Sequence, residues 1–101
     1  MNLEKWQKLS LAEQMGNIGS EFSRAKHWEE NGDFDSRQKA FERMIELIDL
    51  TISDKRWRSR LSEILRLREV ICDLLIRGRN YDVSLESLQN YFLFFALIAR
   101  R

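Results

Sequence analysis

The chain has 101 residues, of which 44% are hydrophobic and 33% charged, and these include six phenylalanines and three tryptophans. This is the usual length of one domain, and it holds too many large apolar side chains for an intrinsically disordered protein. The net charge of +1 argues against a general binder of polyanions, although the charge is unevenly spread. Residues 1–50 carry −3 (seven basic, ten acidic), and residues 51–101 carry +4 (ten basic, six acidic).

The cysteine content and the apolar runs indicate the cellular compartment of the protein. The single cysteine, Cys72, cannot form an internal disulfide and is typical of a reducing cytoplasm. The first ten residues lack the apolar stretch of a signal peptide. The longest apolar run, the nine residues 91–99, is much shorter than the roughly 20 residues needed to span a bilayer. We therefore expect a cytoplasmic protein that does not enter the membrane.

The N-terminal part of the chain predicts a short helical turn at residues 3–8 and a long helix over residues 10–31. Ser10 and Glu13 have the spacing of a capping box. Apolar residues then recur every three or four positions, at Leu11, Met15, Ile18, Phe22 and Ala25. A second stripe, of small residues, lies beside the first: Ala12, Gly16, Gly19 and Ser23. Glycines inside a helix cost about 1 kcal/mol each, so this stripe favours the close approach of another backbone.

Three more helices follow, over residues 34–52, 55–77 and 85–100. The first long helix should stop at Asn31–Gly32, and the next should be capped by Asp33 or Asp35. For the helix over 55–77 the predicted buried stripe is Trp57, Leu61, Ile64, Leu65, Ile71, Cys72 and Leu75. Four helices joined by short turns predict one all-α domain, an antiparallel up-down four-helix bundle built from two αα-hairpins.

No arrangement of residues indicates catalysis or a metal site. His27 is the only histidine, and residue 24, three positions before it, is an arginine rather than the glutamate of a di-iron bundle. One cysteine and one histidine are too few for zinc, and the glycines fit no phosphate-binding loop. We expect a non-enzymatic protein without a cofactor.

One basic side chain, Arg68, falls within the apolar arc of its helix when the helix is projected at 100° per residue. An unpaired arginine there would cost several kcal/mol, so it needs a carboxylate or carbonyl partner. Glu29 and Arg37 lie on the core sides of the preceding helices, which predicts a polar cluster of Glu29, Arg37 and Arg68. Such a cluster is either a buried ion pair that fixes helix register or a pocket for a phosphate or carboxylate.

The basic third helix offers a second possible site. Arg56, Arg60 and Arg79 could contact the phosphates of an RNA, with Trp57 stacking on an unpaired base. Acidic residues interrupt this basic row, so nucleic-acid binding is the alternative hypothesis rather than the favoured one.

The favoured hypothesis rests on apolar residues that the predicted core does not use. Several lie off the predicted core stripes, namely Leu47, Leu50, Leu67, Val70, Leu74, Leu93, Phe94 and Leu97. Each helix buries only about 100–140° of its circumference in a single core, so these side chains must be buried against another surface. We expect an interface formed by Leu93, Phe94, Leu97, Leu47 and Leu50. The protein would then be a homo-oligomer, a dimer or higher, or would bind a protein partner.

Three stretches, LSLAEQMGNIGSEFSRA, GDFDSRQKAFERMIELIDLTI and RLSEILRLREVICDLL, resemble a group of short bacterial and archaeal all-helical proteins that are usually left uncharacterised. The resemblance covers about residues 9–101 and implies no activity. A looser fold-level likeness exists to the four-helix-bundle proteins of ribosomal RNA intervening sequences and to the accessory proteins of diversity-generating retroelements. It implies oligomerisation and, less strongly, nucleic-acid binding, because this chain is nearly neutral.

Overall fold

The fold is given by a computed structural model, which describes residues 2–77 and 88–93, without the side chains of residues 74, 76 and 77. Every regular element among these residues is helical, so the predicted all-α class is confirmed. The elements are α1 (Leu3–Trp6), α2 (Leu11–Glu30), α3 (Phe34–Ile52), a 3₁₀ helix (Lys55–Arg60), α4 (Leu61–Arg77) and α5 (residues 88–93).

The start of α2 is fixed by a reciprocal pair of hydrogen bonds. The Glu13 backbone N–H donates to Ser10 Oγ at 3.1 Å, and the Ser10 N–H donates to Glu13 Oε1 at 3.0 Å. This confirms the predicted capping box, and the hydrogen bond from the Ser10 backbone lowers the pKa of Glu13. Just before it, Asn2 caps α1 by accepting a hydrogen bond from the Lys5 N–H.

The turn between α2 and α3 is a Schellman motif. Gly32 has a φ of +73°, which only glycine adopts freely, and its N–H donates to the Glu29 carbonyl at 3.1 Å. The Asp33 N–H reaches back to the Trp28 carbonyl at 2.9 Å. Asp33 then caps α3 by accepting from the Ser36 N–H at 3.1 Å, which resolves the choice between Asp33 and Asp35.

The predicted helix over residues 55–77 is two elements. Asp54 caps a 3₁₀ helix that ends at Arg60, with a non-helical Trp57 (φ −103°, ψ 20°) inside it, and α4 begins at Leu61. A 3₁₀ helix turns roughly 120° per residue instead of 100°, so a helical projection started at Trp57 is out of phase when it reaches α4.

Because of this difference in rotation, the predicted buried stripe of α4 is wrong in part. Ile64, Leu67 and Ile71 are buried, whereas Leu65, predicted to be in the core, is 42% exposed. Leu67, predicted to lie off the core stripe, belongs to it. Ile64, Leu67 and Ile71 are three and four residues apart, so they form one face of α4.

The core lies where α2, α3, α4 and α5 meet. Among the described residues, its buried apolar side chains are Trp6, Leu11, Met15, Ile18, Phe22, Ala25, Ala40, Phe41, Met44, Ile48, Ile64, Leu67, Ile71, Leu88 and Phe92. The α3 helix contacts both α2 and α4, and α1 lies against α3. In α5, Phe92 packs on Gly19 of α2, and the Tyr91 hydroxyl donates to Glu63 Oε1 of α4 at 2.7 Å. The small-residue stripe of α2 therefore admits a close neighbour at Gly19.

Candidate functional site

Six side chains form a polar network where the N-terminal segment meets the α3–α4 corner. This corner network consists of Trp6, Gln14, Thr51, Asp54, Arg56 and Trp57. The Trp6 indole is fully buried and donates to Thr51 Oγ1 at 2.9 Å, and Thr51 in turn donates to the Leu47 carbonyl at 3.0 Å. The network thus joins α1 to the C-terminal turn of α3.

Gln14 is the centre of this network. Its buried side-chain amide donates to the Trp6 carbonyl at 2.9 Å and to Asp54 Oδ2 at 3.3 Å. Its carbonyl oxygen accepts from the Trp57 indole N–H at 3.0 Å. A buried amide left unpaired costs about 1–3 kcal/mol, so Gln14 stabilises the corner only while all three partners are in place.

Asp54 supplies the charge of the network. Arg56 binds its carboxylate through two nitrogens: Nη2 donates to Oδ2 at 2.6 Å, and Nε donates to Oδ1 at 3.0 Å. Arg56 Nη2 also donates to the Leu9 carbonyl at 2.8 Å. The Arg56 side-chain hydrogen bonds hold the pKa of Asp54 below its ordinary value, against the opposing effect of burial. No buried side-chain nitrogen or oxygen in the described part of the chain lacks a partner. The buried polar side-chain atoms of the corner network are therefore all paired within the chain.

The lowered pKa of Asp54 predicts a pH dependence of stability. A carboxyl group whose pKa is lower in the folded state contributes stability above its unfolded pKa, and this stability is lost as the pH falls below about 4. Asp54→Asn should therefore make the loss of stability on acidification shallower than in the wild type. Urea unfolding at a series of acidic pH values measures this, and Asp35→Asn is the charge-matched control outside the network. A variant that keeps the wild-type acid profile contradicts the role assigned to Asp54.

The predicted cluster of Glu29, Arg37 and Arg68 forms only in part. Arg37 Nε lies 3.0 Å from Glu29 Oε1, and both side chains are largely buried. The Arg37 guanidinium also lies over the Phe41 ring, with its Cζ 4.6 Å from the ring centroid. This pair fastens the C-terminal turn of α2 to the N-terminal turn of α3, next to the Schellman motif.

Arg68 lies elsewhere, which corrects the three-residue cluster. Its Nε donates to Asp49 Oδ1 at 2.7 Å, and its side chain is 38% exposed. Asp49 is twelve residues after Arg37, about 18 Å further along α3. The physical reason is again the phase of α4, which turns Arg68 out of the core toward the edge of α3. The two arginines of the suggested anion pocket do not converge.

Three of the four suggested nucleic-acid residues, Arg56, Arg60 and Trp57, make contacts within the chain. Arg56 is held by Asp54, and its guanidinium lies over the Trp57 ring with Cζ 4.5 Å from the centroid. Arg60 pairs with Glu63, with Nη2 2.9 Å from Oε2. Arg79 lies outside the described residues. Trp57 therefore already carries a stacked cation on its ring and a hydrogen bond on its indole N–H.

The predicted interface residues divide into two kinds. Leu47 and Leu50 are half-buried and pack against the core, so part of the surplus is covered within the chain. Leu93, in contrast, is 55% exposed. Phe94 and Leu97 lie outside the described residues.

Sequence reasoning missed one further ionic group, between α2 and α3. Glu21 is buried and accepts from Arg24 Nη1 at 2.7 Å and from Arg43 Nε at 3.0 Å. Glu21 is three residues after Ile18 and four before Ala25, so it lies on the apolar line of α2, and this position indicates burial with a partner. The identity of its partner Arg43 could not be predicted, because the two residues are on different helices and meet only through tertiary packing.

Comparison with known protein families, curated proteins and solved structures finds no match. Within residues 2–77 and 88–93, no group of three histidine, cysteine, aspartate or glutamate side chains is placed to hold a metal ion. No helix in that same part of the chain is both long enough and apolar enough to cross a bilayer.

Proposed function

We propose that this chain is a cytoplasmic, non-enzymatic protein that works by self-association. It would be an antiparallel four-helix bundle of two αα-hairpins, and its apolar surface would bind a second copy of the chain or, alternatively, another small protein. The contacts of α5 with both α2 and α4 support the bundle, because the last helix then closes the ring that α2, α3 and α4 begin.

The observation that carries self-association is the surface around Leu93. This side chain is more than half exposed, and it borders a groove lined by Gly16, Ser20, Ser23 and Phe92. A projecting leucine and a shallow groove next to each other allow two copies to exchange leucines about a two-fold axis, because such an interface uses the same patch on both subunits. The exposed Leu65 of α4 is a second apolar position on a different helix.

Nucleic-acid binding is supported less well than association. Arg56 and Arg60 already pair with carboxylates, and these neighbouring negative charges weaken the attraction of either arginine for a phosphate. The favourable release of counterions from a nucleic acid would then be smaller.

The Leu93→Glu variant tests the proposal. We expect the wild type to sediment as a dimer or larger species at micromolar concentration, whereas Leu93→Glu should sediment as the 12.2 kDa monomer. The reason is that a carboxylate is poorly tolerated in a desolvated apolar contact. Asn90→Glu is the matched control, since Asn90 is exposed on the same helix, and it should remain associated.

Further measurements show whether a monomeric Leu93→Glu variant reflects lost association or lost folding. The circular dichroism spectrum of Leu93→Glu should match that of the wild type, which separates lost association from lost folding, whereas its melting temperature should be lower because a dimer is stabilised by association. The Leu65→Glu variant reports whether the α4 surface contributes. A wild type that is monomeric across the whole concentration series removes the main support for self-association.

A further inference from the structure

The turn between α2 and α3 holds an asparagine followed by a glycine, both exposed. Asn31 is the C-cap of α2, and its side-chain Nδ2 donates to the His27 carbonyl at 2.8 Å. The same Nδ2 lies 3.4 Å from both ring nitrogens of His27. The amide of Asn31 is therefore in contact with the chain's one imidazole.

We propose that Asn31 is a site of spontaneous deamidation, assisted by His27 and restrained by the Schellman motif. The Gly32 backbone nitrogen loses its proton and attacks Asn31 Cγ, so that a new C–N bond closes a five-membered succinimide. The bond from Cγ to Nδ2 breaks, and Nδ2 leaves as ammonia after taking up one proton. Water then opens the ring to aspartate or isoaspartate, and the net change is amide plus water to acid plus ammonia.

Gly32 makes this position reactive in a way that the other asparagines are not. The attacking nitrogen must approach Cγ closely, and a residue without a side chain obstructs that approach least. Asn2, Asn17, Asn80 and Asn90 are followed by leucine, isoleucine, tyrosine and tyrosine. Asparagine is among the thermally labile residues, and in this chain the lability is concentrated at Asn31.

His27 is placed to carry the proton that the leaving group needs. Its ring nitrogens contact Nδ2, the atom that departs, and an imidazole can donate or accept a proton near neutral pH. His27 therefore acts as a general acid at the step in which the bond to Nδ2 breaks.

The hydrogen bonds of the turn oppose the reaction. The Gly32 N–H, which must lose its proton, is held on the Glu29 carbonyl at 3.1 Å. Asn31 has a ψ of 1°, so the backbone must rotate about the Cα–C bond of Asn31 before the Gly32 nitrogen can reach Cγ. Attack thus requires local opening of the motif, and helix ends open at low free-energy cost compared with the core.

The product would weaken the end of α2. The acid no longer has the Nδ2 donor that holds the His27 carbonyl. Its new negative charge is placed near Glu29, Glu30 and Asp33 and at the negative end of the helix dipole. An isoaspartate also lengthens the backbone by one carbon, which breaks the spacing of the Schellman hydrogen bonds.

The experiment follows the folded full chain in ¹⁸O-labelled water at neutral pH, with peptide mapping by mass spectrometry. We expect label to enter at Asn31 as a mixture of aspartate and isoaspartate, several-fold faster than at Asn17. The Asn31→Gln variant is the matched control, because glutamine keeps the side-chain amide but cannot form the five-membered ring, and it should stay unlabelled at residue 31.

His27→Gln tests the assisting residue. It should slow labelling of Asn31 several-fold in the folded chain and leave the rate unchanged in urea, where the contact is absent. Equal folded rates for the wild type and His27→Gln overturn the role of His27. An Asn31 that is labelled in urea but not in the folded chain overturns the proposal, because the turn then blocks the reaction. An Asn31→Asp variant that melts at the wild-type temperature overturns the predicted weakening of α2.

Discussion

Replacing Trp6 with alanine should lower the free energy of unfolding by about 3–5 kcal/mol, the usual cost of removing a large buried aromatic side chain. Trp6 is completely buried although nearly all its neighbours in the N-terminal segment are exposed. Its removal therefore leaves a cavity between α1 and α3. The substitution also leaves Thr51 Oγ1 without the indole donor. Urea unfolding followed by circular dichroism measures the change.

Two controls separate the indole from the rest of the segment. Leu3→Ala shortens an exposed side chain of the same short helix and should change stability by less than about 0.5 kcal/mol. Thr51→Val removes the acceptor of the indole N–H and should cost about 1–3 kcal/mol, because a buried donor is left unpaired. If Trp6→Ala costs no more than Leu3→Ala, the N-terminal segment does not contribute to the stability of the core.

Alanine at Gly19 and alanine at Gly16 should have opposite effects on stability, although the two glycines lie one turn apart on α2. A Cβ at Gly19 would lie 2.6 Å from the Phe92 Cβ, an atom fixed to the α5 backbone, so α5 must move. Overpacking of this kind costs about 1–3 kcal/mol. Apart from its two chain neighbours and the nearby backbone of its own helix, no described atom lies within 4 Å of a Cβ at Gly16, so alanine there should stabilise α2 by about 1 kcal/mol.

The comparison is made by urea unfolding of the two variants in the Leu93→Glu background, beside Leu93→Glu alone, because Gly16 lines the groove of the proposed interface. Gly16→Ala is the internal control, since it makes the same chemical change in the same helix. Two variants that are stabilised equally would show that α5 does not approach Gly19 closely. Two variants that are destabilised equally would show that the whole small-residue stripe is covered.

The helix termini were predictable because they depend on local residues. Ser10 with Glu13, and Gly32 with Asp33, need only neighbours in sequence to form their caps, and the structure has these caps. The buried face of α4 was not predictable in the same way. A change from 3₁₀ to α geometry at Leu61 leaves no mark on the hydrophobic pattern, yet it rotates everything after it and turns Arg68 toward Asp49.

The corner network did leave a sequence signal. Gln14 is three residues after Leu11 and four before Ile18, and Thr51 is three residues after Ile48, so both polar residues lie on apolar lines. Their positions indicate burial with a partner. The identity of the partners could not be predicted, because Gln14 and Asp54 are forty residues apart and meet only through tertiary packing.

Anchoring of Trp6 sets an order of events during synthesis. The ribosome makes a chain from its N-terminus at about 5–20 residues per second, and domains form as their parts emerge. The indole's acceptor, Thr51, is 45 residues later in the chain, and the carboxylate of Asp54 comes later still. The α1 segment therefore leaves the ribosome before the residues that bury it, and its tryptophan stays in water until the α2–α3 hairpin is complete.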